Sequence, residues 1–414
     1  MKLNQWTLGL AAAGVISLAS VAGAEEATSQ VLTALSSTTL SGYVDTSAIW
    51  KFGTGNQLIG RAFDGTAKQD GFNLNVVKLT LEKPLDEGQW SAGYKADLLF
   101  GPDASLFNQV IGNGAQDVGI KQAYVVLRAP VGNGLDIKMG VFDTIIGYEV
   151  FEAGNNPNYS RSYGWQLEPT QHTGVLASYR VADFMSVAAG VANTWNAGIN
   201  GRPVRSGGVP AAESEKTYMA SVTLSAPESF GAVKGAALYG GVVNGLNNAS
   251  GASGSSIVGC DTTSIYAGVT IPLPLTGLAV GAAYDYRSTC NLATPLFDPE
   301  TGIRTSGEKA STYANAVSAY VTYQHEKWKF ANRSEYTSAS NGTWYTQAGP
   351  NPHNELFGNT TTVDYSLWAN VITRLEFRWD HDLGARRPDY GGTAPFGIDD
   401  KNAISLALNV IYKF

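Results

Sequence analysis

The sequence is poor in the residues that most often build metal, redox and catalytic sites. Its 414 residues include only 2 Cys and 4 His. The histidines are His172, His325, His353 and His381. None stands at a metal-ligand spacing from a cysteine or another histidine, so we expect no metal and no cofactor. The net charge of −7 argues against nucleic acid as the main partner.

Long apolar runs are absent after the first 24 residues. No run of about 18 apolar residues follows Ala24, so the remaining chain has no helical membrane span. The one apolar stretch, Leu8 to Val21, follows Lys2 and precedes Ala22-Gly23-Ala24, the pattern of a cleaved secretory signal peptide. A membrane anchor is the alternative, but the stretch is short and rich in alanine. We therefore predict export, with residues 1–24 as the signal peptide.

Glycine, tyrosine and short alternating runs are what the sequence has in quantity. The 47 Gly and 20 Tyr suit an all-β protein with many turns. Runs such as Phe72–Lys83 and Ala403–Phe414 alternate apolar and polar residues with a period of two. We count about 16 such runs, each near the length of about 10 residues that a tilted membrane strand needs.

The connections between these runs alternate in length. Short ones, such as PLDEG after Lys83, alternate with long ones such as Thr144–Gln171 and Ala339–Thr362. The connection Ala339–Thr362 is followed by a predicted strand at Val363–Asn370. Short periplasmic turns and long extracellular loops are typical of a transmembrane antiparallel β-barrel, whereas a sandwich has no reason for this regularity. We predict such a barrel over residues 38–414, preceded by a short periplasmic segment at 25–37.

The stretch TRLEFRWDHD shows which residues face which side of this barrel. Leu375, Phe377 and Trp379 alternate with charged residues, so we expect the apolar set to face lipid and the charged set to face a wet lumen. The predicted pore-wall residues are Lys78, Lys95, Lys138, Arg287, Arg333, Arg374, Glu376 and Arg378.

The final run, AISLALNVIYKF, places Tyr412 and Phe414 on its apolar face. An aromatic residue that closes an alternating strand at the end of the chain looks like the assembly signal of bacterial outer-membrane barrels. The alternative is an ordinary edge strand. With the signal peptide, this run predicts location in the bacterial outer membrane, in contact with its lipid, after insertion by the barrel-assembly machinery.

A family resemblance appears in MGVFDTIIGYEVFEAGNNPNYSRSYGWQLEPTQHTG, in LEFRWDHD and in the terminal IYKF. These stretches resemble the OmpL-like β-barrel porins of bacterial outer membranes. The resemblance implies a water-filled channel for passive diffusion of ions and small hydrophilic solutes, either general or specific for a solute such as a sugar. It also implies a homotrimer, for which small outward residues around Ala403 and Ala407 leave room. It does not identify the solute.

The long loop at about 144–171 is the predicted pore constriction. Porins of about 16 strands commonly fold one loop inward, and this loop carries Glu149, Glu152, Arg161 and Glu168. Acids on the loop and bases on the wall would set a field across the opening. The alternatives are that the loop covers the mouth or reaches a neighbouring subunit, and that the charges form salt bridges within the wall.

Cys260 and Cys290 flank the predicted hairpin Thr263–Arg287 on its long-loop side. Export places them in an oxidising compartment, and hairpin geometry brings their backbones close, so we predict a disulfide. The alternative is two free thiols.

Two other function classes deserve comparison with a channel. A lipase on the barrel exterior would use a histidine such as His381, but no serine is marked as its nucleophile, so we expect no enzyme. A plugged barrel used as a structural anchor is disfavoured by the charged strand interiors. An aromatic path for carbohydrate has only Tyr43, Trp165 and Trp368 as candidates.

Overall fold

The computed structural model describes residues 37–52, 71–88, 90–107, 117–195, 199–202, 215–246, 261–291, 296–297, 304–305, 310–340, 343–344, 353–384 and 401–414, with a few single positions between them. The predicted signal peptide and all but the last residue of the predicted periplasmic segment lie outside these residues. No helix among the described residues is long and apolar enough to cross a membrane.

Sixteen antiparallel strands close into a barrel within the described part of the chain, which confirms the predicted fold class. Neighbouring strands in the chain are neighbours in the barrel, and the first strand pairs with the last. The barrel strands are β1 (Thr39–Phe52), β2 (Gly71–Lys83), β3 (Ser91–Phe100), β4 (Val118–Ala129), β5 (Leu135–Asp143), β6 (Gln171–Ala182), β7 (Met185–Ala192), β8 (Thr217–Ser225), β9 (Ala237–Leu246), β10 (Asp261–Pro272), β11 (Leu278–Asn291), β14 (Ala310–His325), β15 (Trp328–Ser340), β16 (His353–Tyr365), β17 (Val371–Asp382) and β18 (Asn402–Lys413). Two further strands, β12 (Leu296–Phe297) and β13 (Arg304–Thr305), pair with each other in the loop after β11.

Strand β17 shows how the alternating sequence produces the two surfaces. Leu375 and Phe377 are 49% and 44% exposed, while Arg374 and Glu376 are 1% and 3% exposed. Successive side chains of a strand point to opposite faces, so the apolar set covers the outside and the charged set enters the lumen. These exposures follow the alternation expected from the sequence.

Two β-bulges interrupt the alternation and place extra polar groups inside. In β2, Asn75 has no partner in β1, because Asp45 pairs with Val76 and Thr46 pairs with Leu74. In β4, Lys121 is the unpaired residue opposite β3. A bulge turns two successive side chains to the same side of the sheet. Lys121 and its neighbour Gln122 are accordingly both buried.

Strand β16 corrects one sequence prediction. The predicted strand Val363–Asn370 is wrong: the strand is His353–Tyr365, and residues 366–370 form the turn to β17. The reason lies in the outward face of β16, where Asn359 and Thr361 stand between Phe357 and Val363. With polar residues on both faces, the sequence lacks the alternation that identified the other strands.

The first and last strands of the barrel are joined at their short-turn end by hydrogen bonds between Gly42 and Phe414. The amide of Gly42 donates to the backbone oxygen of Phe414 (2.8 Å), and the amide of Phe414 donates to that of Gly42 (3.0 Å). The Phe414 ring lies where a side chain at residue 42 would begin, since a Cβ there would be 2.8 Å from the ring. Tyr412 is 49% exposed on the outer face. The role of both aromatics in assembly stays a prediction.

Cys260 lies outside the described residues, and the side chain of Cys290 at the end of β11 is not described. The Cys260–Cys290 disulfide therefore stays a prediction.

The outward face of β17 yields a stability prediction. Phe377→Arg should destabilise the barrel by about 2–4 kcal/mol, because the substitution puts a charge on the lipid face near mid-membrane. The measurement is equilibrium unfolding by denaturant in lipid vesicles. The matched control is Trp368→Arg in the β16–β17 turn, where Trp368 is 69% exposed and the expected change is within about 0.5 kcal/mol. Equal losses in both variants would contradict the assigned outer face.

Candidate functional site

The chain between β5 and β6, residues 144–170, runs along the lumen side of the wall. We call it the β5–β6 segment. Its first turn carries Ile145 and Ile146, which belong to an apolar cluster with inward-facing residues of β6 to β14. Those wall residues are Leu176, Ala188, Ala192, Met219, Val243, Tyr266, Ala283 and Tyr320. Tyr148 then stacks on Tyr320, with ring centroids 4.1 Å apart. This half of the wall therefore holds the segment by apolar packing.

Strand β15, next to β14, holds the segment through Arg333. The Arg333 side chain is 0% exposed, and its guanidinium donates to Glu149 Oε1 (2.9 Å) and to Glu335 Oε1 (3.0 Å). It also donates to the backbone oxygen of Ser160 (2.6 Å). The other Glu335 oxygen accepts the amide of Tyr163 (2.6 Å). The predicted loop residue Glu149 and the predicted wall residue Arg333 are thus direct partners.

Strand β17 adds a second set of contacts to the segment. The Glu376 carboxylate accepts the amides of Tyr159 (2.6 Å) and Ser160 (3.1 Å). The Arg374 guanidinium donates to the backbone oxygens of Ala153 and Asn156. Two predicted wall residues therefore bind the backbone of the segment, so their charges are used for holding it in place.

Glu152 joins the segment to strands β2 and β4 through two lysines. Its carboxylate lies 2.5 Å from the Lys78 ammonium and 3.2 Å from the Lys121 ammonium. Burial alone would raise the pKa of Glu152, but Lys121 and Lys78 outweigh it and hold that pKa below its usual range. Lys121 was missed from the sequence because its bulge breaks the alternation. In the sequence, the bulge is marked by two successive polar residues, Lys121 and Gln122.

Arg161, the base among the predicted loop residues, binds the backbone of its own segment. Its guanidinium donates to the backbone oxygens of Val150 (3.1 Å), Tyr159 (2.6 Å) and Phe151. All three belong to the segment itself. Arg161 therefore fastens the two arms of the segment together.

The Glu168 side chain joins the segment to strand β11, where it is hydrogen-bonded with Asp285. Burial raises its pKa well above the usual range, and nearby Asp285 and Glu149 raise it further. The room for this carboxyl group comes from Gly147, which has a φ of 119°, a conformation that L side chains rarely adopt. A Cβ on Gly147 would collide with the Glu168 carboxyl group. The raised pKa means that a neutral carboxylic acid is favoured at this contact.

The other predicted wall residues lie along the lumen with separate partners. Arg378 Nε is 2.7 Å from Asp380 Oδ2, Lys95 Nζ is 3.4 Å from Glu82 Oε2, and Lys138 lies over the Tyr124 ring at 4.8 Å. Arg287 is only partly buried and donates to the backbone oxygen of Gln166 at 3.5 Å.

Acids of the segment and bases of the wall were expected to oppose each other across an opening. At Glu149 and Glu152 the structure instead has them in direct contact, because the segment reaches the wall. These pairs join the segment to the wall, whereas the salt-bridge alternative placed both partners within the wall.

The remaining candidates from the sequence do not come together. Trp165 lies in the segment, Tyr43 faces a cavity near the short turns, and Trp368 is exposed in a turn. On the outer face, Asn402 Oδ1 accepts a hydrogen bond from Trp379 Nε1 (2.8 Å) and also lies 2.8 Å from His381 Nδ1. Among the described residues, no group of three or more His, Cys, Asp or Glu is arranged to hold a metal.

The raised pKa of Glu168 gives a pH prediction. A folded-state pKa above the unfolded value of about 4.3 means that packing of the segment is favoured by the bound proton. The contribution of Glu168 to packing is therefore fully present below about pH 4.3 and is lost as the pH rises through the raised pKa. We expect Glu168→Gln to remove this weakening.

The measurement is hydrogen exchange of residues 144–170, comparing variant with wild type at each pH so that intrinsic exchange cancels. Glu87→Gln, in the exposed turn after β2, is the control and should behave as wild type. If Glu168→Gln loses protection with pH as wild type does, Glu168 does not govern this contact.

Solved structures with the same fold are outer-membrane proteins. The channel DcaP of Acinetobacter baumannii superposes with a TM-score of 0.57 at 12% identity, covering 91% of this chain and 97% of that one. An anion-selective porin from Comamonas acidovorans gives a TM-score of 0.54 at 12% identity, covering 91% and 99%. Vibrio cholerae OmpT in its trimer form gives 0.53 at 14% identity, covering 91% and 99%. At these identities the likeness shows the fold. No curated protein matches the chain.

The family model described as "Putative beta-barrel porin-2, OmpL-like" matches residues 37–414, which is the whole barrel. Family and fold are those of a channel rather than an enzyme. The chain belongs to the OmpL-like β-barrel porins, and it is an outer-membrane channel for passive diffusion.

Proposed function

We propose that small hydrophilic solutes and ions cross this porin past the β5–β6 segment, which forms the narrowest part of the lumen. The observation that supports the proposal is that the β5–β6 segment contacts strands on several sides of the barrel wall. The segment contacts the apolar part of the wall through Ile146 and β15 through Glu149. It contacts β2 and β4 through Glu152, and β11 through Glu168. A segment held against several sides of the wall reduces the free cross-section of the lumen.

The contacts also bear on selectivity. Glu149 and Glu152 add negative charge beside Arg333, Lys78 and Lys121 at the proposed constriction. These cations also pair with the wall carboxylates Glu335, Asp97 and Asp143. Fixed charges that line a pore set which ions enter it. The two glutamates therefore limit how strongly the constriction favours anions.

Two alternatives remain for the finer function. A solute-specific channel, for example for sugars, would need a continuous row of recognition groups, and the three candidate aromatics are dispersed. A plugged anchor would need the segment to block the lumen permanently. Bilayer conductance separates the anchor from the channel, and a solute panel separates a specific channel from a general one.

The test of the constriction is planar-bilayer recording under a salt gradient. Glu149→Gln/Glu152→Gln should shift the reversal potential towards anions, because two negative charges are removed while Arg333, Lys78 and Lys121 stay. These cations then keep only their wall partners Glu335, Asp97 and Asp143. Removing one partner of a buried pair costs about 3–5 kcal/mol, so the segment should also loosen and conductance should rise. Deleting Glu152–Arg161 should raise conductance further by taking away the narrow section.

The matched control is Glu87→Gln/Glu228→Gln, which removes two carboxylates from exposed short turns. It should conduct as wild type. If all variants share one conductance and one reversal potential, the segment is not the constriction, although the barrel would stand. If wild type does not conduct, the anchor is the better description.

We also propose that the porin assembles as a homotrimer. On the outer face of β15 and β16, Asn332 Nδ2 donates to Thr361 Oγ1 (2.9 Å), and Asn359 Nδ2 donates to Ser334 Oγ (2.8 Å). They share a face with the exposed Phe330. Polar side chains on a membrane-facing surface are costly in contact with lipid and commonly face protein.

The small residues Ala403 and Ala407, near which room for packing was expected, face the lumen and are 1% and 6% exposed. That part of the expectation is wrong, because both share the inward parity of Ser405. The outer polar group therefore replaces them as the support for a trimer. Native mass spectrometry in mild detergent should show trimers in wild type and fewer in Asn359→Leu/Thr361→Leu. Monomers alone in wild type would exclude this assembly.

A further inference from the structure

A cavity of about 210 Å³ lies between the β5–β6 segment and the wall, near the short-turn end of the barrel. The wall side is formed by β1, β2, β3 and β18, and the segment side by Glu152, Gly154 and Asn155. A buried water needs only about 10–15 Å³ of such space. The cavity is therefore large enough to hold a small solute, and it borders the proposed constriction.

Three lysines and two glutamates line this cavity, and their charges are not equally available. Lys78 is held by Glu152 and by Asp97, the latter at 3.1 Å. Glu152 is in turn held by Lys78 and Lys121. These groups neutralise one another at the side of the cavity. The backbone oxygen of Phe414 is likewise taken by the amide of Gly42.

Lys95 and Lys413 are the two lysines of the cavity whose charges are less fully neutralised. The Lys95 side chain is 7% exposed and pairs with Glu82 at 3.4 Å, and Glu82 is 38% exposed, so solvent weakens that pair. Lys413 Nζ lies 3.3 Å from Asn155 Oδ1, which is a neutral amide oxygen. Each ammonium has three donors and can bind an additional acceptor.

Neighbouring cations add to the positive potential. On the side of β15 to β17, Arg374 and Lys329 share the carboxylate of Asp364, at 3.0 Å and 3.9 Å. Two cations with one anion leave an excess positive charge close to Lys413. A low-dielectric chamber lined by one sign of charge concentrates ions of the opposite sign.

The placement of the two lysines suggests the size of the anion. Lys413 in β18 and Lys95 in β3 are three strands apart, which is roughly 14 Å at the backbone for a strand spacing of about 4.8 Å. Both long side chains border the same cavity. A small dianion can meet both ammonium groups, whereas an uncharged polyol of the same size gains no such contact.

We propose that this cavity is a binding subsite for small organic anions, such as dicarboxylates, next to the constriction. The inference rests on the proposed function, since it names a solute class for the same lumen. Lys95 and Lys413 bind the two carboxylates, and Asn155 orients Lys413. A weak site of this kind raises the local concentration of the solute without trapping it, which conduction requires.

The test uses succinate as the probe and erythritol as an uncharged probe of similar size. In bilayers, succinate should reduce the chloride current of wild type in a saturable manner, and erythritol should not. In Lys95→Met/Lys413→Met the apparent affinity for succinate should fall about tenfold or more, equivalent to about 1.4 kcal/mol. Lys95→Arg/Lys413→Arg should retain most of the block, since the charge remains.

Lys234→Met is the matched control, because Lys234 is exposed in the short turn between β8 and β9 at the same end of the barrel. It should leave the block unchanged. Folding of each variant is checked by its shift in electrophoretic mobility on heating. Lys95→Met alone serves if the double variant does not assemble.

Calorimetric titration of succinate into the purified full-length barrel separates the subsite from the channel. Binding without conduction would reject the proposed function and keep the subsite. Conduction with equal block in wild type and the methionine variants would reject the subsite and keep the function. Equal block by erythritol would show that size alone, and not charge, governs the effect.

Discussion

The buried guanidinium of Arg333 is the interaction on which the interior of this barrel depends. It is 0% exposed, and its donors reach Glu149, Glu335, the Thr360 hydroxyl and the backbone oxygens of Ser160 and Arg161. An ion removed from water costs several kcal/mol unless its hydrogen bonds are replaced. Here a guanidinium with five N–H groups replaces them with oxygens from both the wall and the β5–β6 segment. The position of the segment is thereby tied to the position of β15.

The two halves of the inner wall hold the segment by different forces. On one side, Ile145 and Ile146 pack among small and apolar inward residues, where contact area supplies the stabilisation. On the other side, Glu376 and Arg374 bind segment backbone groups that would otherwise lack partners inside the barrel. An irregular segment can lie inside a membrane barrel only if its backbone polar groups are satisfied there. The charged wall residues meet that requirement.

This use of charge explains why a porin with so many inward ionic groups need not have a strongly charged opening. Several of the inward bases are committed to the segment or to neighbouring strands. The charge that remains available collects near the short-turn end, at Lys95 and Lys413. The same lumen thus contains a structural set of charges and a smaller set that a solute can reach.

The sequence by itself determined the strand pattern, the two faces of each strand and the residue types that enter the lumen. Alternation with period two is a local property, readable from adjacent residues such as Leu375 and Glu376. It failed locally as well, at β16, where Asn359 and Thr361 place polar groups on the outer face. It also could not reveal Lys121, because a bulge changes the face of a residue without changing its neighbours in the sequence.

Only the tertiary structure decided which acid meets which base. Glu149 and Arg333 are separated by 184 residues, and Glu152 and Lys78 by 74. Their meeting depends on strand register, on the two bulges and on the path of the β5–β6 segment across the lumen. None of these is a property of a short stretch of chain, because each arises only when the barrel closes and fixes the distance between opposite walls.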